Sequence, residues 1–237
     1  MMTQEELQLK VVSVLKILSI DTSGTVAAAS VYDSDEDLML AQQCIYTKKT
    51  HSQVILPLVE RMLKDVSLSL NDIDKIAVAV GPGSYTGLRI GIAAVKAMTF
   101  ALKISCCGIS TLEALAYQGS IFSGFVCSVM KARQNLVYAG VYKNENNQMI
   151  SILSDRIIDK DELCKYLLEL KEPVLLIGDA SGDLAGEQFI IAPSSIRLQN
   201  GIGLCMAAVH KESQSPNSLE AKYLQAVKAE KDRKGIS

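Results

Sequence analysis

Gly81-Pro82-Gly83-Ser84-Tyr85-Thr86-Gly87-Leu88-Arg89-Ile90-Gly91 is the stretch on which the reading of this chain turns. It follows Ile76–Val80, a continuous apolar run typical of a strand covered on both faces. It leads into a helix predicted from about Thr86 to Leu102. A buried strand, a tight glycine turn and a helix start gather several backbone amides at one point, which suits an anion. Two familiar phosphate loops do not fit. A Walker A loop ends Gly-Lys-Ser/Thr, whereas Leu88 follows Gly87 here. The dinucleotide fingerprint needs its third glycine one position earlier than Gly87. On spacing alone, a structural turn is the better reading.

The helix behind the loop says more. Between Leu88 and Leu102 only Arg89, Lys96 and Thr99 are polar, while Gly87, Gly91, Ala94 and Ala101 are small. A helix apolar almost all round has no solvent face and must be covered on every side. A sheet covers one side. The other needs a neighbour, either a helix of this chain or a partner protein, and the small residues let it approach closely.

Upstream, Val54, Ile55, Leu58, Val59, Met62, Leu63 and Val66 recur at helical spacing. Pro57 is expected in or near the first turn of that helix, where a missing amide forfeits little. Further upstream, Ile17–Ile20 runs into the turn Asp21-Thr22-Ser23-Gly24, followed by strands at Thr25–Tyr32 and Leu38–Tyr46 around the acidic hairpin tip Asp33–Asp37. Asp21 and its turn have two readings, a site for a nucleotide phosphate or its Mg²⁺, and an Asx-turn serving the hairpin. The turn reading is preferred.

Downstream, Ser105–Ile109 reads as a strand, and Ser110 as the cap of a helix over Thr111–Tyr117. Gly119–Gly124 links to a second half. There Phe125–Met130 and Leu136–Tyr142 read as paired strands, Asp161–Leu170 as a helix, and Val174–Ile177 and Phe189–Ala192 as strands. Ile202–Lys211 is the last helix. Two halves that each open with antiparallel strands and continue into β-α alternation suggest a duplicated α/β unit. The expected division is an extension over 1–16, a first lobe over 17–118, and a second lobe with a tail over 119–237.

The 237 residues carry a net charge of −2, too small to suggest gripping a polyanion without help. Lys228–Lys234 reads as a solvated tail. Six cysteines are present without a Cys-x-x-Cys pair, so neither a zinc knuckle nor a redox motif is supported, and buried thiols in a reducing cytoplasm are expected. No export signal is read at the amino terminus, and the longest apolar stretch, Ile90–Leu102, contains Lys96 and is too short to span a membrane. Only His51 and His210 are present, without the i+4 pairing of a helix metal site. A metallopeptidase therefore fails on ligand count. No Gly-x-Ser-x-Gly elbow is present either, and His51 is expected to cap or pack.

Ile17-Leu18-Ser19-Ile20-Asp21-Thr22-Ser23, then His51-Ser52-Gln53 with Leu56-Pro57, then Gly81–Gly91, then Gly108-Ile109-Ser110-Thr111-Leu112, together resemble the TsaB family of bacterial tRNA threonylcarbamoyladenosine biosynthesis subunits, a glycoprotease-like group. The resemblance spans roughly Ile17–Tyr117. In the second half it rests on Met130-Lys131-Ala132-Arg133 with Val137-Tyr138, on Leu176-Ile177-Gly178-Asp179 and on Lys222-Tyr223-Leu224. Lys131 stands where the family usually carries Asp, and the last motif lacks its usual proline.

The resemblance implies an α/β fold of the two-lobed actin, sugar-kinase and Hsp70 type (ASKHA), related to the catalytic TsaD subunit. TsaD holds its metal with a paired-His motif that this chain lacks, so the resemblance implies a cytoplasmic, non-catalytic subunit without a cofactor of its own. It would support threonylcarbamoyl transfer to N6 of adenosine 37 in tRNA by binding TsaD, with a TsaE-like ATPase. ATP would lie at the complex interface, and tRNA would be met only through the complex. The implied interface with TsaD, or with a second copy, uses Val54, Ile55, Leu58, Val59, Met62, Arg89, Ile90, Ala94, Ala97 and Met98. The alternative is a nucleotide-dependent ATPase or phosphotransferase using Asp21, Thr22, Ser23, Gly83, Ser84, Thr86 and Gly87. A glycoprotease-like peptidase ranks below it.

Overall fold

A computed structural model describes residues 15–46, 50–184 and 186–224. Most of the predicted amino-terminal extension and the Lys228–Lys234 tail lie outside them. The first half comprises β1 (Lys16–Asp21), β2 (Val26–Asp33), β3 (Leu38–Tyr46), α1 (His51–Asp65), β4 (Lys75–Gly81), α2 (Tyr85–Leu102), β5 (Ser105–Ser110) and α3 (Thr111–Gln118). The second comprises β6 (Phe125–Lys131), β7 (Leu136–Glu145), β8 (Gln148–Asp159), α4 (Lys160–Glu169), β9 (Val174–Ile177), β10 (Ile190–Ile191), α5 (Ser194–Arg197) and α6 (Ile202–Val209).

The strand orders are β3-β2-β1-β4-β5 and β10-β9-β6-β7-β8. In both halves the third, second, first, fourth and fifth strands lie side by side in that order. The first three pair antiparallel and the last two join parallel. The duplication expected from the element pattern is therefore real at the level of topology, and the architecture is the two-lobed actin/sugar-kinase type.

β8 has no counterpart in the sequence reading. It is the edge strand of its sheet, and half of its residues are exposed, with Met149, Leu153 and Ile158 its buried apolar residues. An edge strand with so few buried positions lacks the apolar run or clean alternation that announces a strand.

The central core lies between the sheets. Leu112 and Leu115 of α3 meet Leu204, Ala207 and Ala208 of α6, between Ala77 and Ile109 of one sheet and Val126 and Ile177 of the other. Lys75, 4 % exposed at the start of β4, ties the layers together. Its ammonium donates to the carbonyls of Ala208 at 2.9 Å and Lys211 at 2.5 Å. A cation thus covers the carbonyl end of α6, where the helix dipole favours positive charge.

The outer face of the first sheet is covered by α1 and α2, and that of the second by Leu163 and Leu167 of α4. α1 begins at His51, so Pro57 is its seventh residue and not part of the first turn. The ring removes the amide that would bond the carbonyl four residues back. That loss falls on the exposed side of the helix.

The chain's last described residues leave the second lobe to which the division at 119 assigned them. Gln214 N donates to Cys106 O at 2.8 Å, Lys222 N donates to Val80 O at 2.7 Å, and Leu219 is buried in the core beneath α1 and α2.

The cysteines are all free. Cys106, Cys107, Cys127 and Cys205 are buried, as expected, but Cys164 is half-buried and Cys44 is exposed on edge strand β3. Burial pushes the Cys107 thiol up to about 11 and those of Cys127 and Cys205 to about 12, which keeps them protonated and unreactive at neutral pH. Among the described residues, no helix is long and apolar enough to cross a membrane.

Candidate functional site

The β1–β2 turn, the start of α1 and the start of α2 converge at one end of the first sheet. Asp21 ends β1 and is 1 % exposed. Its Oδ1 accepts from Ser23 N at 2.8 Å and Ser23 Oγ at 2.6 Å, an Asx-turn. Thr22 Oγ1 donates to the carbonyl of Gly87 at 2.7 Å, and His51 Nδ1 lies 3.1 Å from the carbonyl of Thr22. His51 is the first residue of α1 and ties that helix to the turn instead of capping it.

The glycine loop closes over the same turn. Ser84 N donates to Ser23 O at 2.7 Å, Ser84 Oγ accepts from Gly87 N at 3.2 Å, and Leu88 N donates to Ser84 O at 2.9 Å. A methyl group on Gly83 would fall on the carbonyl of Ser23, and one on Gly87 on the carbonyl of Thr22. The loop is glycine-rich because two backbones touch there. So the seven residues of the nucleotide reading, Asp21, Thr22, Ser23, Gly83, Ser84, Thr86 and Gly87, do come together, but they face each other. The amides of Ser84, Gly87 and Leu88 are consumed within the chain, and Thr22 and Ser23 present carbonyl oxygen, which repels phosphate. Thr86 stands exposed beside the exposed Ser84 cap.

Burial raises the pKa of Asp21 against the lowering effects of its two Ser23 bonds and of His51. A raised carboxyl pKa favours folding only while the group is protonated. The associated stability is full below the unfolded value near 3.8 and is lost as pH rises through the folded value. Asp21→Asn keeps an oxygen for Ser23 and removes the charge. Its stability relative to wild type should grow between pH 4 and pH 8 in urea unfolding. An unchanged gap across that range would contradict the assignment.

The predicted interface residues divide sharply. Ile55, Leu58, Val59 and Met62 are at most 4 % exposed, and Met98 is 9 % exposed. All five pack into the core beneath α1 and α2, with Val54, Ile90 and Ala94 half-buried against it. The wide apolar stripe of α1 therefore faces its own sheet, and these side chains are not available to a partner. The correction has a simple cause. Two helices side by side on one sheet face each bury one side on the sheet and one on the neighbouring helix, so breadth of stripe alone did not imply an outside neighbour.

What remains outside is narrower. Arg89, Ala93, Ala97, Phe100 and Ala101 line the exposed side of α2, spaced as one helical face, and Phe100 is 83 % exposed. Leu56 of α1 is also exposed, and an apolar groove of about 600 Å³ beside it is lined by Val59, Leu63, Leu68, Leu70 and Met98. At the near end of α2 the Arg89 guanidinium sits 3.9 Å over the Tyr85 ring and donates to Tyr223 Oη at 3.2 Å. The two tyrosine rings stack 4.9 Å apart. Phe100, Tyr85 and Tyr223 were not among the interface residues read from the sequence, although Tyr85 and Tyr223 stood within its motifs. Phe100 was legible, since it lies on the same helical face as Arg89, the charge that marks the outer side.

A family model described as TsaD, tRNA N6-adenosine threonylcarbamoyltransferase, matches residues 45–187. The tRNA threonylcarbamoyladenosine biosynthesis protein TsaB of Bacillus subtilis is 31 % identical over 223 residues, covering 91 % of this chain and 96 % of that protein. TsaB of Escherichia coli is 30 % identical over 135 residues, 56 % of this chain and 57 % of its own. The solved structure of YeaZ from Pseudomonas aeruginosa superposes with a TM-score of 0.73 at 21 % identity, covering 89 % of this chain and 100 % of that one. The motifs, the duplicated topology and a relationship running through nearly the whole length agree: the chain belongs to the TsaB family of tRNA threonylcarbamoyladenosine biosynthesis proteins.

Proposed function

We propose that the chain is a non-catalytic subunit for threonylcarbamoyl transfer to N6 of adenosine in tRNA, acting in the cytoplasm by docking on a TsaD-like catalytic subunit. The observation that carries this is the exposed face of α2. Phe100 and three alanines stand in solvent on a helix whose opposite face is locked into the sheet. Exposed apolar side chains gathered on a rigid element mark association surfaces. The alanines allow a helix of the partner close approach, and Phe100 is shaped to fill a pocket on it, as aromatic anchors do.

The interlocked turn and glycine loop support the same reading. They fix the start of α2 on β1 and α1, so the docking face is presented preorganised. A TsaE-like ATPase completes the machinery. ATP acts at the interface of the complex, and tRNA is met through it.

Reconstitution tests the role. With TsaD, TsaE, the threonylcarbamoyl-adenylate synthase, ATP and tRNA, adding this chain should raise modified adenosine at least tenfold over background, read by nucleoside mass spectrometry. Full modification without it would remove the assignment.

A further inference from the structure

The docking face of α2 has two edges that differ in charge. Toward α1, Glu60 and Lys64 both line the apolar groove and Arg61 pairs with Asp65 at 3.8 Å, so the signs balance. On the other edge a second groove, of about 390 Å³, runs between α2 and residues 219–223. Ile92 and Leu219, both buried, form its base, with Ala93 and Ala221 beside them. Arg89 and Lys96 stand along its α2 side, and Glu220 and Tyr223 along the other.

Arg89 and Lys96 are seven residues apart, so they lie on the same edge of the helix, about two turns from each other. Lys103, the C-cap of α2, follows at the same interval, and no acidic residue occurs from Tyr85 to Leu102. Arg89 is held by the Tyr85 ring and the Tyr223 hydroxyl, neutral groups that fix its guanidinium without cancelling its charge. Among the described residues, none of Arg89, Lys96 and Glu220 forms an ion pair. The groove therefore carries two cations to one carboxylate, and its cationic wall borders the seam of Ala93, Ala97 and Phe100.

We propose that the partner helix seated on α2 has an acidic flank, with an Asp or Glu side chain that reaches Arg89 and Lys96 from across the seam. The inference rests on the docking reading of α2 and adds the charge pattern of what docks. Residues flanking the apolar seam between paired helices select partners by charge, attracting one sign and rejecting the other. A second copy does not fit this pattern. Its α2 has no carboxylate to offer, and antiparallel pairing of two α2 helices would set Arg89 and Lys96 against their own counterparts. RNA phosphates would also be drawn to the cations, but they need no apolar seam alongside, and Phe100 with its alanines supplies one.

The test measures binding of the full-length chain to the TsaD-like subunit by surface plasmon resonance, at salt concentrations from about 50 mM to about 500 mM. Wild-type affinity should fall about tenfold across that range. Lys96→Glu should weaken binding about tenfold at the low-salt end, mostly through slower association, and flatten the salt dependence. Lys96→Gln, which removes the charge and keeps most of the stem, should weaken it about threefold. Among Asp→Lys and Glu→Lys variants of the partner's surface helices, one should restore binding to Lys96→Glu. Phe100→Ala separates the two readings, since it should weaken binding equally at every salt concentration. Wild-type affinity in both Lys96 variants, with Phe100→Ala impaired, overturns the acidic flank and keeps the docking reading. Wild-type affinity in all three removes both. Unchanged subunit affinity with weaker tRNA binding by the Lys96→Glu complex overturns the proposal in favour of RNA.

Discussion

Replacing both Ala97 and Phe100 with Lys should lower affinity for a TsaD-like subunit at least a hundredfold and leave the melting temperature within about 2 °C of wild type. Both side chains stand in solvent on α2, so charge there costs the isolated chain little. In the complex the same charges would be desolvated at a packed helix interface, which costs about 3–5 kcal/mol for an uncompensated ion. At about 1.4 kcal/mol per decade, two decades of affinity is the lower bound. Surface plasmon resonance with differential scanning calorimetry reads both quantities. Charge at Ala94 makes the contrast, since Ala94 is half-buried against the core beneath α1 and α2 and its variant should lose stability as well as binding. Undiminished binding by the double variant would place the interface elsewhere.

Gly87→Ala should destabilise the fold by about 3 kcal/mol or more, a large value for one methyl group. The new Cβ would be driven into the carbonyl of Thr22, which is backbone and cannot rotate away. Thr22 is itself pinned, by its hydroxyl to Gly87 O and by its carbonyl to His51. Relief therefore requires moving α2 off β1, which opens the core around Ile92 and Val95. For a chain of this length the expected fall in melting temperature is about 6–12 °C. Gly182→Ala is the control, because nothing lies within 4 Å of that position. It should change stability by less than about 0.5 kcal/mol. Equal effects at the two glycines would refute the backbone-contact explanation. Because α2 carries the docking face, Gly87→Ala should also weaken partner binding, whereas the Ala97 and Phe100 variant separates binding from stability.

The sequence by itself determined the elements whose residues have uniform surroundings. β4 is apolar from Ile76 to Val80 because both its faces are covered, and α2 reads as a helix because its small and apolar residues leave no other period. Ser110 caps α3 as its position foretold, accepting from Leu112 N and Glu113 N. The family motif from Gly81 to Gly91 was legible because close backbone contact demands glycine at fixed spacings. What the glycines touch was not, since Thr22 and Ser23 lie some sixty positions away and a backbone carbonyl leaves no mark in residue type. β8 stayed hidden because an edge strand buries few side chains.

The tertiary structure alone decided which way each helix faces. Hydrophobicity places Ile55, Leu58, Val59 and Met62 on one stripe, but only packing shows that the stripe is spent on the chain's own sheet. It likewise decided that Phe100 faces out and that Asp155 meets Ser110 and Tyr142 across two halves. Local periodicity reports what a side chain prefers to avoid. The partner that does the covering is a long-range fact, set by how the two duplicated halves close on each other.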